Sequence, residues 1–286
     1  MKLIKPKFEI LEQQSGIDGI YKMIEWAGRT CYKSEDKITE DSAKGFVERM
    51  IKSGHGAVLE HGTVYLKVPL TIVRQGFESG TNWYTLCNNP YTKYTHDNSY
   101  MYFTTNYRVI IDNDLQGVLE YQCEPIKSHK KRVTVKFICD RGILAEFTRH
   151  RVFSFCAEST RYCNYSLNKF GNELTFIQPC YLNEVELTKY GSYYLINRNQ
   201  SPESIFICNL TNAEKDYLAL IKLGWKAQEA RAILPNALKT ELVMTGFVSD
   251  WEHFFKLRCA TNAHPSAKEL AIPLKEEFIK RGYINE

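Results

Sequence analysis

The chain has 286 residues, enough to bury a sizeable core without disulfides or metal ions. It is 44% hydrophobic and 24% charged, as is ordinary for a globular protein, and no apolar run reaches the roughly 20 residues that a membrane-spanning helix needs. The net charge of +4 suits a small anionic ligand and falls short of the strongly basic character of a DNA-binding protein. We therefore expect neither a nucleic-acid partner nor a membrane partner.

The cysteines and the first residues indicate a cytoplasmic protein. The nine cysteines include no C-x-x-C pair, so reduced thiols are favoured over a disulfide framework or a metal site. The segment MKLIKPKFEI has no apolar signal core and no small-residue cleavage site. We expect a single domain over residues 1–286 that binds no metal.

Apolar spacing predicts two helices and a strand before residue 69. Residues 17–31 carry apolar side chains at helical intervals. Residues 39–55 form a second amphipathic pattern, in which Gly54 suits a left-handed helix stop. The alternating segment TVYLKV, residues 63–68, predicts a strand.

Residues 69–132 differ in composition from the preceding segment and are rich in Tyr, Asn and Thr. Short β-like runs such as YMYFTTNYRVII and the turn signal DND predict β-hairpins and loops. The next segment, VTVKFIC, predicts a strand, and Asp140 opens a short predicted helix, DRGILAEFTRHR. From residue 201 onward the pattern is helical, with a stop at Pro235 and a last helix starting near Pro265. An α+β fold follows.

The segment RHRVFSFCAESTRY, residues 149–162, contains the most distinctive chemistry. Arg149 and Arg151 flank His150, and their planar donor forks favour bound anions or electron-rich rings. Taken alone, such a cluster is more often a solvated helix end, where cations also favour the C-terminal dipole.

The residues that follow change this balance. Ser159 and Thr160 add hydroxyls, Glu158 adds a carboxylate and Arg161 adds a guanidinium, which is the composition of a cradle for phosphate and a polar ring. Several cations share one pocket at low cost only when an anion joins them. A small phosphorylated ligand is therefore predicted.

The same segment resembles the signature of the flavin-dependent thymidylate synthases, in which Arg-His-Arg is followed after seven residues by Ser and then by Arg-Tyr. Four other segments resemble elements of this family, in the family's order: RTCYKS, GHGAVLEHGTVYL, EARAILP and FFKLRC. The resemblance spans roughly residues 17–281. It implies an α+β fold with a central antiparallel sheet flanked by helices, and a β-rich insertion at about 69–132.

The resemblance also implies a reaction. In this family dUMP receives a methylene group from methylenetetrahydrofolate, and FAD, reduced by NADPH, supplies the hydride that yields dTMP. Family members form homotetramers whose active sites are shared between subunits, so a homotetramer is expected here. The enzyme would be an FAD-dependent methyltransferase.

Site residues follow from the matched positions. The nucleotide would be held by Glu146, Arg149, Glu158, Ser159, Thr160, Arg161, Arg231 and Arg258. The flavin would be contacted by His61, Thr63, Arg149, His150, Arg151, Ser249 and His253. Arg258 would stabilise ionisation of the uracil at N3. Ser159 would lie close to the reacting ring without acting as a covalent nucleophile.

Several positions depart from the family pattern. Ala157 stands where a Gln or Glu often touches nucleotide and flavin, and Phe247 and Ser249 stand where polar flavin contacts are common. Ala157 motivates a second hypothesis, an enzyme of this fold that acts on another pyrimidine nucleotide or hydroxymethylates its substrate. A third is a nucleotide- or RNA-binding protein that has lost catalysis and binds through residues 69–132.

Overall fold

A computed structural model describes residues 1–78, 82–183 and 201–285. Four antiparallel strands form its central sheet, in the order β2 (Lys7–Leu11), β6 (Arg132–Asp140), β9 (Lys239–Phe247) and β7 (Ser154–Ala157). Strand β9 pairs along its whole length with β6 and along its other edge with β7. Eight of its nine residues are buried, because strands cover both of its edges and helices cover both faces of the sheet.

Two smaller sheets accompany the central one. One, which we call the second sheet, is antiparallel and ordered β3 (Thr63–Pro69), β5 (Tyr100–Asn106) and β4 (Lys93–His96). The other is a parallel pair of β1 (Lys2–Ile4) and β8 (Thr175–Ile177). The region predicted to be a β-rich insertion, residues 69–132, therefore contributes β4, β5 and the last residue of β3 to the antiparallel one of these two sheets.

The helices surround these sheets. In chain order they are α1 (Gly16–Tyr32), α2 (Ser42–Lys52), α3 (Gly56–Leu59), α4 (Leu70–Glu78), α5 (Asn82–Asn88), α6 (Tyr107–Asp112), α7 (Arg141–Phe147), α8 (Pro202–Lys222), α9 (Ala227–Ala230), α10 (Val248–Arg258) and α11 (Pro265–Lys280). In the part of the chain that the structure describes, no helix has both the length and the apolar content needed to cross a bilayer.

Alternating side chains of β9 divide the core into two layers. Val243 packs with Ile24 of α1 and with residues of the second sheet. Leu242 and Met244 point to the opposite face, where they pack with aromatic side chains of α10 such as Trp251 and with α11. Period-two alternation explains this division. The predicted central antiparallel sheet flanked by helices is confirmed.

Three local predictions are corrected by the structure. The segment from residue 201 onward was predicted to be helical throughout, but residues 239–247 form the central strand β9. Residues 69–132 contain helices α4, α5 and α6 in addition to strands, since side chains such as Trp83 and Ile110 pack into the core. The helix opened by Asp140 ends at Phe147, so Arg149–Arg151 lie in a turn.

Candidate active site

The Arg-His-Arg segment lies in the turn between α7 and β7. The backbone N–H of His150 donates to the Phe147 carbonyl at 3.1 Å, which directs the chain back toward the sheet. Arg149 and Arg151 are exposed, whereas His150 is only 7% exposed and lies 5.0 Å from the Phe254 ring, centroid to centroid. The turn therefore presents two guanidinium groups to solvent on either side of a buried imidazole.

Arg258, the last residue of α10, joins this turn to α7. Its Nε–H donates to His150 Nε2 at 2.9 Å, and its terminal nitrogens donate to the carboxylate and the carbonyl of Glu146 at 2.7 and 2.6 Å. Because a guanidinium presents its donors in a rigid planar fork, these three acceptors fix its plane. We call Glu146, His150 and Arg258 the Arg258 cluster. It unites two predicted nucleotide ligands with a predicted flavin contact.

The hydrogen bond from Arg258 requires a neutral His150. Burial is the main reason that the pKa of His150 falls from 6.5 to about 4, and the charges of Arg258 and His253 lower it further. The exposed His253 ring lies 6.3 Å from the His150 ring, centroid to centroid. At neutral pH His150 therefore accepts at Nε2 and carries its proton on Nδ1.

We expect His150 to titrate near pH 4 in the folded protein. Since this pKa lies below the unfolded value of 6.5, His150 contributes stability above about pH 6.5 that is lost as the pH falls through about 4. NMR titration of the imidazole C–H signals measures the pKa, with His150→Gln identifying the signal. A value near 6.5 would contradict a buried ring bonded to Arg258.

The predicted phosphate ligands meet at the loop that follows β7. Arg231 donates to Thr160 Oγ1 at 3.3 Å. The Ser159 N–H donates to the Cys31 carbonyl at 2.9 Å, and the Arg161 N–H donates to Ser159 Oγ at 3.3 Å. Thr160 is buried, whereas both arginines are exposed. We call residues 159–161 together with Arg231 the Ser159 loop. It offers two solvent-facing guanidinium groups beside two hydroxyls.

Glu158, a predicted nucleotide ligand, points into the protein. Its side chain is 1% exposed, and its two carboxylate oxygens accept from the Tyr165 hydroxyl at 3.0 Å and from Lys239 at 2.8 Å. A carboxylate engaged in this way holds the chain immediately before Ser159. The placement favours a role in fixing the Ser159 loop, and the nucleotide contact of Glu158 stays a prediction.

Lys239 connects Glu158 to a larger group of buried charges. Glu241 accepts from Lys239 at 2.5 Å and from Lys33 at 2.9 Å, and the Lys136 ammonium lies 2.6 Å from its other oxygen. Burial raises the pKa of Glu241, but the charges of the three lysines outweigh this effect and bring it to about 2. We call these five residues the buried ion network. It anchors the Ser159 loop to the central sheet.

A cleft of about 340 Å³ opens between the Arg-His-Arg turn and the second sheet. On the side of the central sheet it is lined by Arg132, Arg151, Ser154 and Phe247. Arg132 is buried, which lowers its pKa to about 10 and leaves it charged at neutral pH. Its guanidinium donates to Thr63 Oγ1 and to the Glu60 carbonyl, but no carboxylate of a described residue lies within 4.0 Å of it. Among the described residues, this buried cation therefore has no carboxylate as a direct partner.

His61 and Thr63, two predicted flavin contacts, lie beside Arg132. His61 is fully buried, with Nδ1 2.8 Å from Thr245 Oγ1, and its Nε2 has no hydrogen-bond partner among the described residues. Burial and the Arg132 charge lower the pKa of His61 to about 3, so the ring is neutral. Buried polar groups without partners are uncommon in folded proteins. The flavin contacts of His61 and Thr63 stay predictions.

Ser249 and His253, the remaining predicted flavin contacts, lie four residues apart on α10 and therefore share one helix face. Ser249 is exposed and accepts from Lys93 of β4 at 2.6 Å. The donors, the buried Arg132 guanidinium and the aromatic ring of Phe247 fit a flavin dinucleotide, which carries a pyrophosphate and planar rings. At about 340 Å³, near the lower end of the usual range for ligand pockets, the cleft has room for part of such a molecule.

The sequence-based prediction missed several charged residues of these sites, among them Lys93, Arg132, Lys239 and Glu241. Arg132 ends the basic run KSHKKR, residues 127–132, a composition typical of a solvated loop. Lys239 and Glu241 are two residues apart in β9 and so point to the same face. Charges at alternate positions before an apolar run were the available signal for this part of the network.

The Arg258 cluster and the Ser159 loop are held by different elements of the fold. The cluster lies at the ends of α7 and α10, and the loop follows β7 beside the end of α1. Across residues 1–78, 82–183 and 201–285, no hydrogen bond or ion pair joins one to the other. The predicted dUMP ligands therefore form two groups within one chain.

Comparison with known proteins places these features in a family. The family model described as thymidylate synthase complementing protein matches residues 15–131 and 129–281. The flavin-dependent thymidylate synthase of Pyrococcus furiosus is 28% identical over 182 residues, covering 62% of this chain and 68% of the relative. That of Mycobacterium marinum is 23% identical over 268 residues, covering 92% and 76%.

Among solved structures, the UMP/dUMP methylase PolB from Streptomyces cacaoi bound with 5-Br dUMP is 17% identical and aligns with a TM-score of 0.44 over 98% of this chain and 93% of that one. The family model covers almost the whole of the chain, and the resemblance recognised in the sequence is confirmed. The chain belongs to the thymidylate synthase complementing protein family, Thy1.

Proposed function

We propose that this chain is a flavin-dependent thymidylate synthase that converts dUMP to dTMP with methylenetetrahydrofolate, FAD and NADPH. The Arg258 cluster is the observation that carries the proposal. It fixes a permanent cation in one plane beside the Arg-His-Arg turn, in a chain whose relatives bear this activity in their names. A preorganised donor of this kind stabilises charge that develops on a bound ring.

The two groups of predicted ligands would contact different parts of dUMP. The exposed Arg161 and Arg231 suit the phosphate, because guanidinium groups bind phosphate through paired donors. Arg258 would stabilise negative charge at N3 of the uracil. Ser159 Oγ accepts from a backbone N–H, and in the described part of the chain no His or carboxylate lies within hydrogen-bonding distance of it to act as a base. An orienting role for Ser159 is therefore favoured over nucleophilic attack.

The Arg-His-Arg turn and the cleft beside it would hold FAD. A bound FAD would supply the hydride, taken from NADPH, that reduces the methylene group transferred to C5 of dUMP. Arg149 and Arg151 offer exposed donors to anionic groups, and neutral His150 keeps Arg258 in place. All nine cysteines are free thiols, which supports action in the reducing cytoplasm.

We further propose that the active site is shared between the single-domain subunits of a homotetramer. The support is the separation of the Arg258 cluster from the Ser159 loop within one chain. In such a shared site, a nucleotide that contacts both would take one group from each of two copies of the chain. Related subunits in a closed symmetric assembly can supply the two groups to one site.

The experiment that tests the function combines a spectrum with an isotope assay. The purified protein is expected to show the absorbance of bound oxidised flavin. With methylenetetrahydrofolate and NADPH it is expected to form dTMP from C5-tritiated dUMP while releasing tritium to water, because the C5 hydrogen is replaced.

Two controls separate the alternatives. Replacing dUMP by UMP tests for another pyrimidine nucleotide, and analysing the product separates methylation from hydroxymethylation. A protein without bound flavin that neither releases tritium nor forms dTMP would reject the proposed function. That result would favour a binding protein that has lost catalysis.

A further inference from the structure

One wall of the cleft beside the Arg-His-Arg turn comes from the insertion. Tyr91, Lys93 and Asn106 line this wall, and all three lie within residues 69–132, the segment that looks like an insertion relative to the shortest family members. Lys93 begins β4, the edge strand of the second sheet. The insertion thus brings side chains to a cleft whose other wall carries Arg151.

Lys93 is the cationic group of this wall. Its ammonium donates to Ser249 Oγ at 2.6 Å and lies 4.3 Å from the centre of the Phe247 ring. Both partners stand at positions where polar flavin contacts are common in the family. Here the position of Phe247 offers an apolar ring and that of Ser249 a single hydroxyl. Lys93 therefore supplies a charged donor beside Phe247 and Ser249, which themselves offer little polarity.

The cleft carries an excess of positive charge. Lys93, Arg132 and Arg151 line it together with one carboxylate, that of Asp250. Asp250 lies 3.5 Å from Lys93, but its other oxygen accepts from the Phe247 N–H and caps α10. The buried Arg132 has no carboxylate within 4.0 Å among the described residues. Cations held close together in this way favour binding of an anion.

A surface ion pair is the plain alternative explanation of Lys93. Exposed ion pairs contribute little to stability, and the distance of 3.5 Å between Lys93 and Asp250 is longer than a direct hydrogen bond. The ammonium instead has its short contact to a neutral hydroxyl inside the cleft. That geometry leaves its charge available for an anionic ligand.

We propose that Lys93 binds the pyrophosphate of FAD and that the insertion thereby forms one wall of the cofactor site. This inference rests on the proposed function, which requires FAD. A pyrophosphate placed between Lys93, Arg132 and Arg151 would meet two exposed donors and give the buried guanidinium its missing anionic partner. The aromatic ring of Phe247 would lie beside it.

Quenching of flavin fluorescence on titration with apoprotein tests the assignment. Lys93→Met is expected to weaken FAD binding about tenfold, equivalent to roughly 1.4 kcal/mol, and Lys93→Arg to retain most of the affinity. Lys67→Met is the matched control, because Lys67 lies in the same sheet but stacks on Tyr100 outside the cleft. The Lys67→Met variant is expected to bind FAD as tightly as the wild type.

ADP and riboflavin locate the contact within the cofactor. ADP contains the pyrophosphate without the flavin ring, so Lys93→Met is expected to weaken competition by ADP to a similar extent. Riboflavin has no phosphate, and its binding is expected to be unchanged. An equal loss for riboflavin would overturn the pyrophosphate assignment in favour of a general change in the cleft.

Failure of this inference is distinguishable from failure of the proposed function. If the wild type forms dTMP while Lys93→Met binds FAD as tightly as Lys67→Met, the role of Lys93 is overturned and the function stands. If the wild type binds no flavin and forms no dTMP, both are overturned. Thermal unfolding of each variant confirms that the compared proteins are folded.

Discussion

Replacing Arg258 by alanine is expected to lower kcat/KM for dUMP by about 10²–10³-fold, the usual cost of removing one preorganised charge-stabilising donor. The substitution takes three hydrogen bonds from Glu146 and His150 and removes the cation proposed to stabilise ionisation of the uracil. Initial rates of tritium release from C5-labelled dUMP measure the effect. Arg258→Lys keeps the charge but not the planar fork, so only partial recovery is expected.

Arg281→Ala is the matched control for this experiment. Arg281 directly follows α11, where it pairs with Glu277 and Glu12 at the surface, and no site residue contacts it. The NMR titration of His150 adds an independent measurement, because loss of the Arg258 charge should raise the pKa of His150 above about 4. Wild-type kinetics in Arg258→Ala, together with an unchanged His150 pKa, would contradict the proposed role.

Replacing Glu241 by alanine is expected to lower the free energy of unfolding by about 3–5 kcal/mol, the cost of breaking a buried ion pair on one side. The side chain is 6% exposed and lies within 3 Å of three lysine ammonium groups, which would lose their shared counter-charge. Urea unfolding at neutral pH measures the change. Glu48→Ala, on the exposed face of α2, is the control and should change stability by less than about 0.5 kcal/mol.

The contribution of Glu241 should also depend on pH in a defined direction. Its folded pKa of about 2 lies below the ordinary value of 4.5, so its stabilisation is fully present above about pH 4.5 and is lost as the pH falls toward about 2. The difference in unfolding free energy between wild type and Glu241→Gln should therefore shrink across this window. A difference that stays constant there would show that the lysines do not hold Glu241 ionised.

The sequence predicted those elements whose patterns reflect one buried face. Helix α1 was predicted over residues 17–31 and spans Gly16–Tyr32, because its apolar side chains recur at helical spacing and pack into the core, whereas Asp18 and Lys22 are exposed. Strand β9, with the sequence KTELVMTGF, was missed. It is buried on both faces, so the alternation that marks a half-buried strand is weak, and a short apolar run of this kind is also compatible with a helix.

The candidate site was recovered to the extent that its residues lie in short motifs. The Arg-His-Arg turn and the residues after it were found because they are contiguous. Lys93 and Glu241 were not, since the contact of Lys93 with Ser249 and that of Glu241 with Lys33 each span more than 150 residues of chain. Glu158 was assigned to the ligand from its neighbours, whereas burial and Lys239 direct it inward. Contacts between distant segments depend on the fold, and local composition does not encode them.

Strand β9 sets the distance between the Ser159 loop and the cleft within one chain. Glu241 holds the network under the Ser159 loop, and Thr245, on the same face, holds His61 behind the cleft. Four residues of extended chain separate them, about 13 Å at 3.3 Å per residue. Because β9 is hydrogen-bonded along both edges, this spacing cannot change without breaking the sheet. The distance between the Ser159 loop and the cleft of one chain is thus built into a strand of which eight of nine residues are buried.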